Sequence, residues 1–294
     1  LKGIYRWARM FPNVVFAKKK EAQYLKKVNR MMHRHDMVKH DSEDYFRTRY
    51  MTIIDSIFES QELSHNKLKV LDIGCGQGRL SIPLAKKGCQ VDALDCVPDA
   101  LEKAKIYAEE EGVKKDSIEW ILGEIPDILD QFESESYDFL LCTEVLMMIP
   151  GPEDALNKMC RLLKKNGIFL ISLRSRLYYL QQTLLYNDLF KFRIAAEKNN
   201  YKEVGDVSSW FDPNRADQIL TGLGLTILNH WGIGTLSGID GDPTSQFCRP
   251  VDLKPKERDM VGRVEDDIAQ SYYDAGRYIV YSGVKKESFI LNNS

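Results

Sequence analysis

One run narrows the folds open to this 294-residue chain more than any other: Val70-Leu71-Asp72-Ile73-Gly74-Cys75-Gly76-Gln77-Gly78. It leaves a strand buried on both faces, turns on three glycines and starts a helix. Glycines are needed there because the backbone must enter tight, partly left-handed geometry and let another group approach closely. The same alternation then repeats. Leu68–Ile73 reads as a strand, Gly78–Lys87 as a helix closed by Gly88, and Gln90–Leu94 as a strand. Pro98–Glu111 reads as a helix, with Pro at its start, Asp99 in the first turn and Gly112 just past its end. Ile118–Leu122, Tyr137–Cys142 and Ile168–Leu173 are further strands. Between the last two, Pro152–Lys165 carries Glu153 and Asp154 at its positive end and Lys164 and Lys165 at its negative end, with Asn166-Gly167 as the stop. Alternation of this kind predicts an α/β chain: a doubly wound, parallel, Rossmann-like sheet with helices on both faces.

The order loosens towards the end. Arg176 to Asn200 predicts a helix carrying Tyr178, Tyr179, Tyr186, Phe190 and Phe192. Pro213–Thr221 is a short helix before Gly222, Leu225–Trp231 a sixth strand, and Arg277–Val284 the seventh. Insertions at 175–212 and 234–275, the second rich in Gly, Asp and Pro, are expected to form a lid over the substrate. Ahead of the sheet, Ser42 to Phe58 predicts a helix with Ser42 as N-cap and Phe46, Ile53, Ile54, Ile57 and Phe58 as its apolar face. The expected division is residues 1–65 as a helical arm and capping helix, 66–286 as the main domain, and 287–294 as a tail.

Composition excludes several classes. With 44% apolar and 29% charged residues the chain is not disordered. No apolar run reaches the ~20 residues of a membrane-spanning helix, and Lys2, Arg6, Arg9 and Pro12 break the first segment as a signal peptide. The cysteines Cys75, Cys89, Cys96, Cys142, Cys160 and Cys248 contain no CxxC and no close His, so no metal site is expected and free thiols in a reducing cytoplasm are. Charge is uneven: residues 1–40 hold eleven Lys and Arg against Glu21 and Asp36. A basic arm could meet an anionic membrane surface peripherally, a nucleic acid, or the chain's own acidic body. Nucleic acid is the least favoured, because no zinc finger or RNA-recognition motif follows it. Nothing in the sequence signals an oligomeric state.

A dinucleotide fingerprint also sits at a strand-to-helix turn, but its third glycine comes later, and Arg79 stands where it belongs. Asp72 with Gly74, Gly76 and Gly78 instead resembles motif I of the class I S-adenosylmethionine (SAM)-dependent methyltransferases. The resemblance extends along residues 66–286, loosely after Ser175. It implies that Asp95, 17 residues after Gly78, accepts both ribose hydroxyls of SAM, with Cys96 beside it. It likewise implies that Gly123-Glu124-Ile125 is the adenine turn, Glu124 accepting from the amino group and Ile125 lying on the ring. Cys142-Thr143-Glu144-Val145-Leu146 is similar to the fourth-strand motif, whose backbone, with that of Cys75, meets the methionine end. Nearest in pattern are small-molecule methyltransferases such as those of ubiquinone biosynthesis. Those often carry Glu-His after that leucine; here Met147-Met148 suggests an apolar wall.

Methyl transfer from a sulfonium is an in-line displacement, so the protein's main work is alignment and exclusion of water. A base helps only where the acceptor holds its proton tightly. Candidates are His230, at the end of the sixth strand, and Glu144, beside the expected methyl donor. Arg47 or Arg49 could clamp the methionine carboxylate, and the His33, His35 and His40 cluster could reach the substrate if the arm folds over. Tyr178, Tyr179 and Met147 are the expected substrate contacts, favouring a small, flat or apolar molecule. Two alternatives stay open: an RNA or protein methyltransferase that uses the arm as a landing patch, and a SAM-binding accessory or sensor protein without catalysis.

Overall fold

The computed structural model describes residues 36, 38–64, 66–149, 151–197 and 210–286. Most of the basic arm, including His33 and His35, part of the first insertion (198–209) and the tail 287–294 lie outside the described residues.

Helix α1 (Asp41–Ser60) buries Tyr45, Phe46, Tyr50, Ile53, Ile54, Ile57 and Phe58 along one stripe, as its helical spacing requires. Then follow β1 (Lys69–Ile73), α2 (Ser81–Lys86), β2 (Gln90–Asp95), α3 (Pro98–Glu110), β3 (Ile118–Leu122), β4 (Tyr137–Cys142), α4 (Pro152–Leu162) and β5 (Leu163–Arg174). After them come α5 (Arg176–Leu185), α6 (Leu189–Glu197), α7 (Pro213–Gly222), β6 (Leu225–Ile233), α8 (Pro255–Ile268) and β7 (Tyr278–Lys285). The seven strands form one sheet in the order β3-β2-β1-β4-β5-β7-β6. Adjacent residues in the central strands face opposite ways. Val70, Phe139, Ile168 and Val280 pack with α1, α2 and α3; Leu71, Leu140, Phe169 and Tyr281 pack with α4 and α7. The two faces give two cores, and the sheet separates them.

Four expectations need correction. The sheet is not wholly parallel, because β7 runs antiparallel to both β5 and β6. β6 leaves an empty slot beside β5, and the chain re-enters it from the end at which β6 finished, which forces the reverse direction. The expected helix Gly78–Lys87 starts only at Ser81, since Gly78 is still in the left-handed region (φ +82°). Helix α4 stops at Leu162, because Leu163 already pairs with Tyr137 in the sheet. The helix expected from Arg176 breaks at Asn187 (φ +53°), giving α5 and α6. In addition the second insertion contains α8, which packs against α1. Its Glu265 accepts from the Leu236 and Ser237 amides at 2.7 and 3.0 Å and from the Tyr45 hydroxyl.

Candidate active site

The C-terminal ends of β1, β2 and β4 converge around the glycine turn. Gly74, Gly76 and Gly78 all adopt positive φ (+74°, +56° and +82°), which only glycine takes without strain. A Cβ on Gly74 would also lie 2.1 Å from Val145 Cγ2, so this glycine lets the β4 loop approach. The Gly74 and Cys75 amides donate to the Leu94 carbonyl at 2.8 and 3.0 Å, stitching the turn to β2.

Asp95 ends β2 and is buried. One carboxylate oxygen accepts the Gly76 amide at 2.8 Å and the other the Val97 amide at 2.9 Å. Burial pushes its pKa up, against those amides, which favour the charged form. The Cys96 amide also acts on this carboxylate. Asp72 faces inward: it accepts the Ser81 hydroxyl at 2.5 Å at the start of α2, and burial lifts its carboxyl to about 6. Its work is to fix the turn to α2.

After β4, Cys142 and Thr143 are buried and Glu144 takes positive φ (+63°). The Glu144 amide donates to Ser172 Oγ of β5 at 2.6 Å. Its carboxylate pairs with Arg79 at 2.8 Å, and Arg79 also pairs with Glu43 of α1 at 3.0 Å, all three largely enclosed. Burial alone would raise the Glu144 carboxyl. The charges of Arg79, Arg277 and Arg174 outweigh burial and hold it at about 2. Arg79, read from the sequence only as the residue that spoils a dinucleotide fingerprint, thus ties the capping helix, the glycine turn and the β4 loop together.

Beyond this triad, Arg174 at the end of β5 lies between the rings of Tyr178 (4.5 Å) and Tyr278 (4.3 Å). Arg277 pairs with Asp242 at 3.0 Å, and Asp242 also accepts the Tyr178 hydroxyl. The sequence signal for these arginines was slight: each is a cation next to a buried strand.

A family profile described as a methyltransferase domain matches residues 64–221, just over half of the chain. The chain belongs to this methyltransferase family. It is 30% identical over 124 residues to the ubiquinone biosynthesis O-methyltransferase of Rickettsia conorii, covering 42% of this chain and 40% of that protein. It is 28% identical over 179 residues to the enzyme of the same name from Rickettsia typhi, covering 59% and 68%. The matches to such curated relatives thus span from about two fifths to two thirds of their length. Magnesium protoporphyrin IX methyltransferase from Synechocystis PCC 6803, solved with bound SAH, superposes with a TM-score of 0.53 at 16% identity, over 97% of this chain and all of that one. That likeness is one of fold.

The cofactor of this methyltransferase family is SAM, and the residues present fit it. Asp95 is an ionisable acceptor suited to a vicinal diol, beside a turn that three left-handed glycines hold at the end of β1. Cys96, next to that acid in sequence, and Ile125 are half-buried, while Glu124 is exposed. Gly123 is tied to Asp95 by its amide, which donates to the Asp95 carbonyl at 3.0 Å.

Other expected residues are placed elsewhere. His230 lies on the edge strand β6, three strands from β4, stacked on Tyr273 (4.8 Å) with its Nε2 3.5 Å from Asp217. It is not brought to the glycine turn. Glu144 is there, but a carboxylate held at about 2 takes up a proton poorly near neutrality. Tyr179 stacks on the buried Trp210 at 4.5 Å, and Tyr178 is buried against Asp242, so internal contacts occupy both rings. Met147 is half-buried, with its sulfur 3.3 Å from Arg174 Nε. Arg47 pairs with Asp44, and Arg49 with Asp266 of α8 at 3.2 Å. Neither arginine reaches the turn.

Proposed function

We propose that the protein transfers a methyl group from SAM to a small, partly apolar molecule. The anchored Asp95 beside three left-handed glycines is the observation that carries this reading. The names of the curated relatives, which concern ubiquinone biosynthesis and O-methylation, support a small acceptor over a polymer.

When bound, SAM supplies an electrophilic methyl on a positively charged sulfur. The chain's own residues do the rest. Asp95 accepts the ribose hydroxyls in charge-assisted hydrogen bonds. Gly123-Glu124-Ile125 borders the adenine. The backbone of the glycine turn and of Thr143–Glu144 holds the amino-acid end, and the Glu144 carboxylate, paired with Arg79, keeps that loop in place. Met147 walls the acceptor side and helps to exclude water. Glu144 acts by position and charge, so the acceptor is one that sheds its proton readily, such as an acidic hydroxyl.

Among the described residues no helix is long and apolar enough to cross a membrane. All six cysteines are unpaired, which supports a cytoplasmic setting, with the basic residues 1–40 available for peripheral contact with an anionic surface.

Calorimetric titration with SAM, S-adenosylhomocysteine (SAH) and NADH tests the cofactor half. Binding of both sulfur nucleotides and not NADH is expected; folded protein that binds neither overturns the reading. Incubation with methyl-labelled SAM and a panel of phenols and other small hydroxylated molecules tests transfer. Label incorporated only into RNA or protein would overturn the small-molecule assignment.

A further inference from the structure

The three arginines of the site differ in how their charge is answered. Arg79 faces two carboxylates and Arg277 faces Asp242. Arg174 makes no ion pair with any carboxylate of the described residues. Its Nη2 donates to the Tyr278 hydroxyl at 2.9 Å, its Nε to the Met147 sulfur, and Nη1 is enclosed with no acceptor among the described residues. On the same Tyr278 ring, the enclosed Nε of Arg277 also has no acceptor among the described residues. Two guanidinium nitrogens beside one buried tyrosine thus lack, among those residues, the oxygen that such donors normally find.

Two tyrosine rings lie within 4.5 Å of the Arg174 guanidinium, which reduces the entropy a flexible cation would lose on binding. Sulfur is a weak acceptor, so the contact with Met147 answers little of the charge, and the Glu144 carboxylate acts on it without an ion-pair contact. The location adds the second half. Along the strand order, the end of the sheet presents Asp95 on β2, the glycine turn after β1, Thr143–Glu144 after β4, and then Arg174 on β5. On the function proposed above, the cofactor spans the first three, and Arg174 with Met147 stands on the acceptor's side.

We infer that Arg174, supported by Arg277, receives an anionic group of the methyl acceptor, and that the substrate is a partly apolar molecule bearing a carboxylate. The carboxylate could also be that of the cofactor's own amino-acid end, so the test separates the two.

With protein saturated in SAH, the affinities of caffeate and dodecanoate are compared with those of their methyl esters. At least one acid should bind about tenfold or more tightly than its ester, the scale of one charge-assisted hydrogen bond. R174M should erase that difference. R174K, which keeps the charge without the fork, should retain part of it, and circular dichroism confirms that each variant is folded. Cofactor binding is read with SAH against 5′-methylthioadenosine, which lacks the amino-acid end. Unchanged ratios in R174M support the acceptor assignment. A fall for SAH alone would give Arg174 to the cofactor and overturn the inference. Acids and esters that bind equally, or not at all, to wild type holding SAH overturn it without the variants. Loss of SAH binding by wild type would instead overturn the methyltransferase reading beneath it.

Discussion

Replacing Arg79 with methionine should cost far more than the side chain's own contacts, and the cost should carry a pH signature. Arg79 pairs with the enclosed Glu43 and with Glu144 as well. Removing it leaves two carboxylates in a site that excludes water, a loss of roughly 3–5 kcal/mol where one partner of a buried pair is deleted. The depressed value of Glu144, to which Arg79 contributes the largest of three guanidinium charges, shows that ionised Glu144 stabilises the fold. Since the folded pKa is depressed, that contribution is complete above pH 4.5 and is lost as pH falls towards 2. In R79M Glu144 loses the largest of the charges that hold it down, so its folded value rises towards the unfolded one and the loss of stability below pH 4.5 becomes shallower than in wild type. Urea unfolding at several pH values, with SAH present to keep the variant folded, measures both slopes. Neutralising both acids in R79M, as E43Q and E144Q, should recover much of the loss. A loss below about 1 kcal/mol, a slope equal to that of wild type, or no recovery in the triple variant would refute this account of the triad.

Four further outcomes follow from the same geometry. Asp95→Ala should weaken SAH binding by one to two orders of magnitude, about 1.5–3 kcal/mol, in a calorimetric titration. Gly74→Ala should destabilise the protein by about 1–3 kcal/mol; adding Val145→Ala should relieve the clash but not the left-handed strain, so thermal melts should show partial rescue only. Asp72→Asn should stabilise the protein at pH 8 and lose that advantage as pH falls through about 6 towards 3.8, because the buried charge it removes is then neutralised in wild type as well. His230→Asn should leave SAH affinity unchanged and lower stability by about 1 kcal/mol; a fall in affinity would place the edge strand in the site after all.

The parts of the fold legible in the sequence were those set by local chemistry. Pro98 and Gly112 bracket a helix that ends within a residue of its expected limit, and the strand before the glycine turn is displaced by one residue at its start. The turn itself announced its backbone through residue type alone. What stayed hidden depended on partners distant in sequence. Leu163 to Gly167 has the composition of a helix end, and only its pairing with Tyr137 and its neighbours makes it strand. Helix α8, with Arg, Glu and Asp over most of its length, shows little apolar stripe because much of its contact is the polar Glu265 against loop amides. His230 was attractive by its position at a strand end, but the strand order that removes it to the sheet's edge is a tertiary fact. The triad is similarly non-local: 36 residues separate Glu43 from Arg79, and 65 separate Arg79 from Glu144.

The reversed strand sets an order of assembly. β6 has β7 as its sheet neighbour, and β7 is made more than forty residues later. At the ribosome's pace of roughly 5–20 residues per second, the first five strands can pair for some seconds while β6 waits. Tyr278, which flanks both Arg174 and Arg277, arrives only with that final insertion. On the reading proposed above, the cofactor-binding strands can thus pair while Arg174 still lacks the Tyr278 ring and the neighbouring Arg277 that the last strand brings.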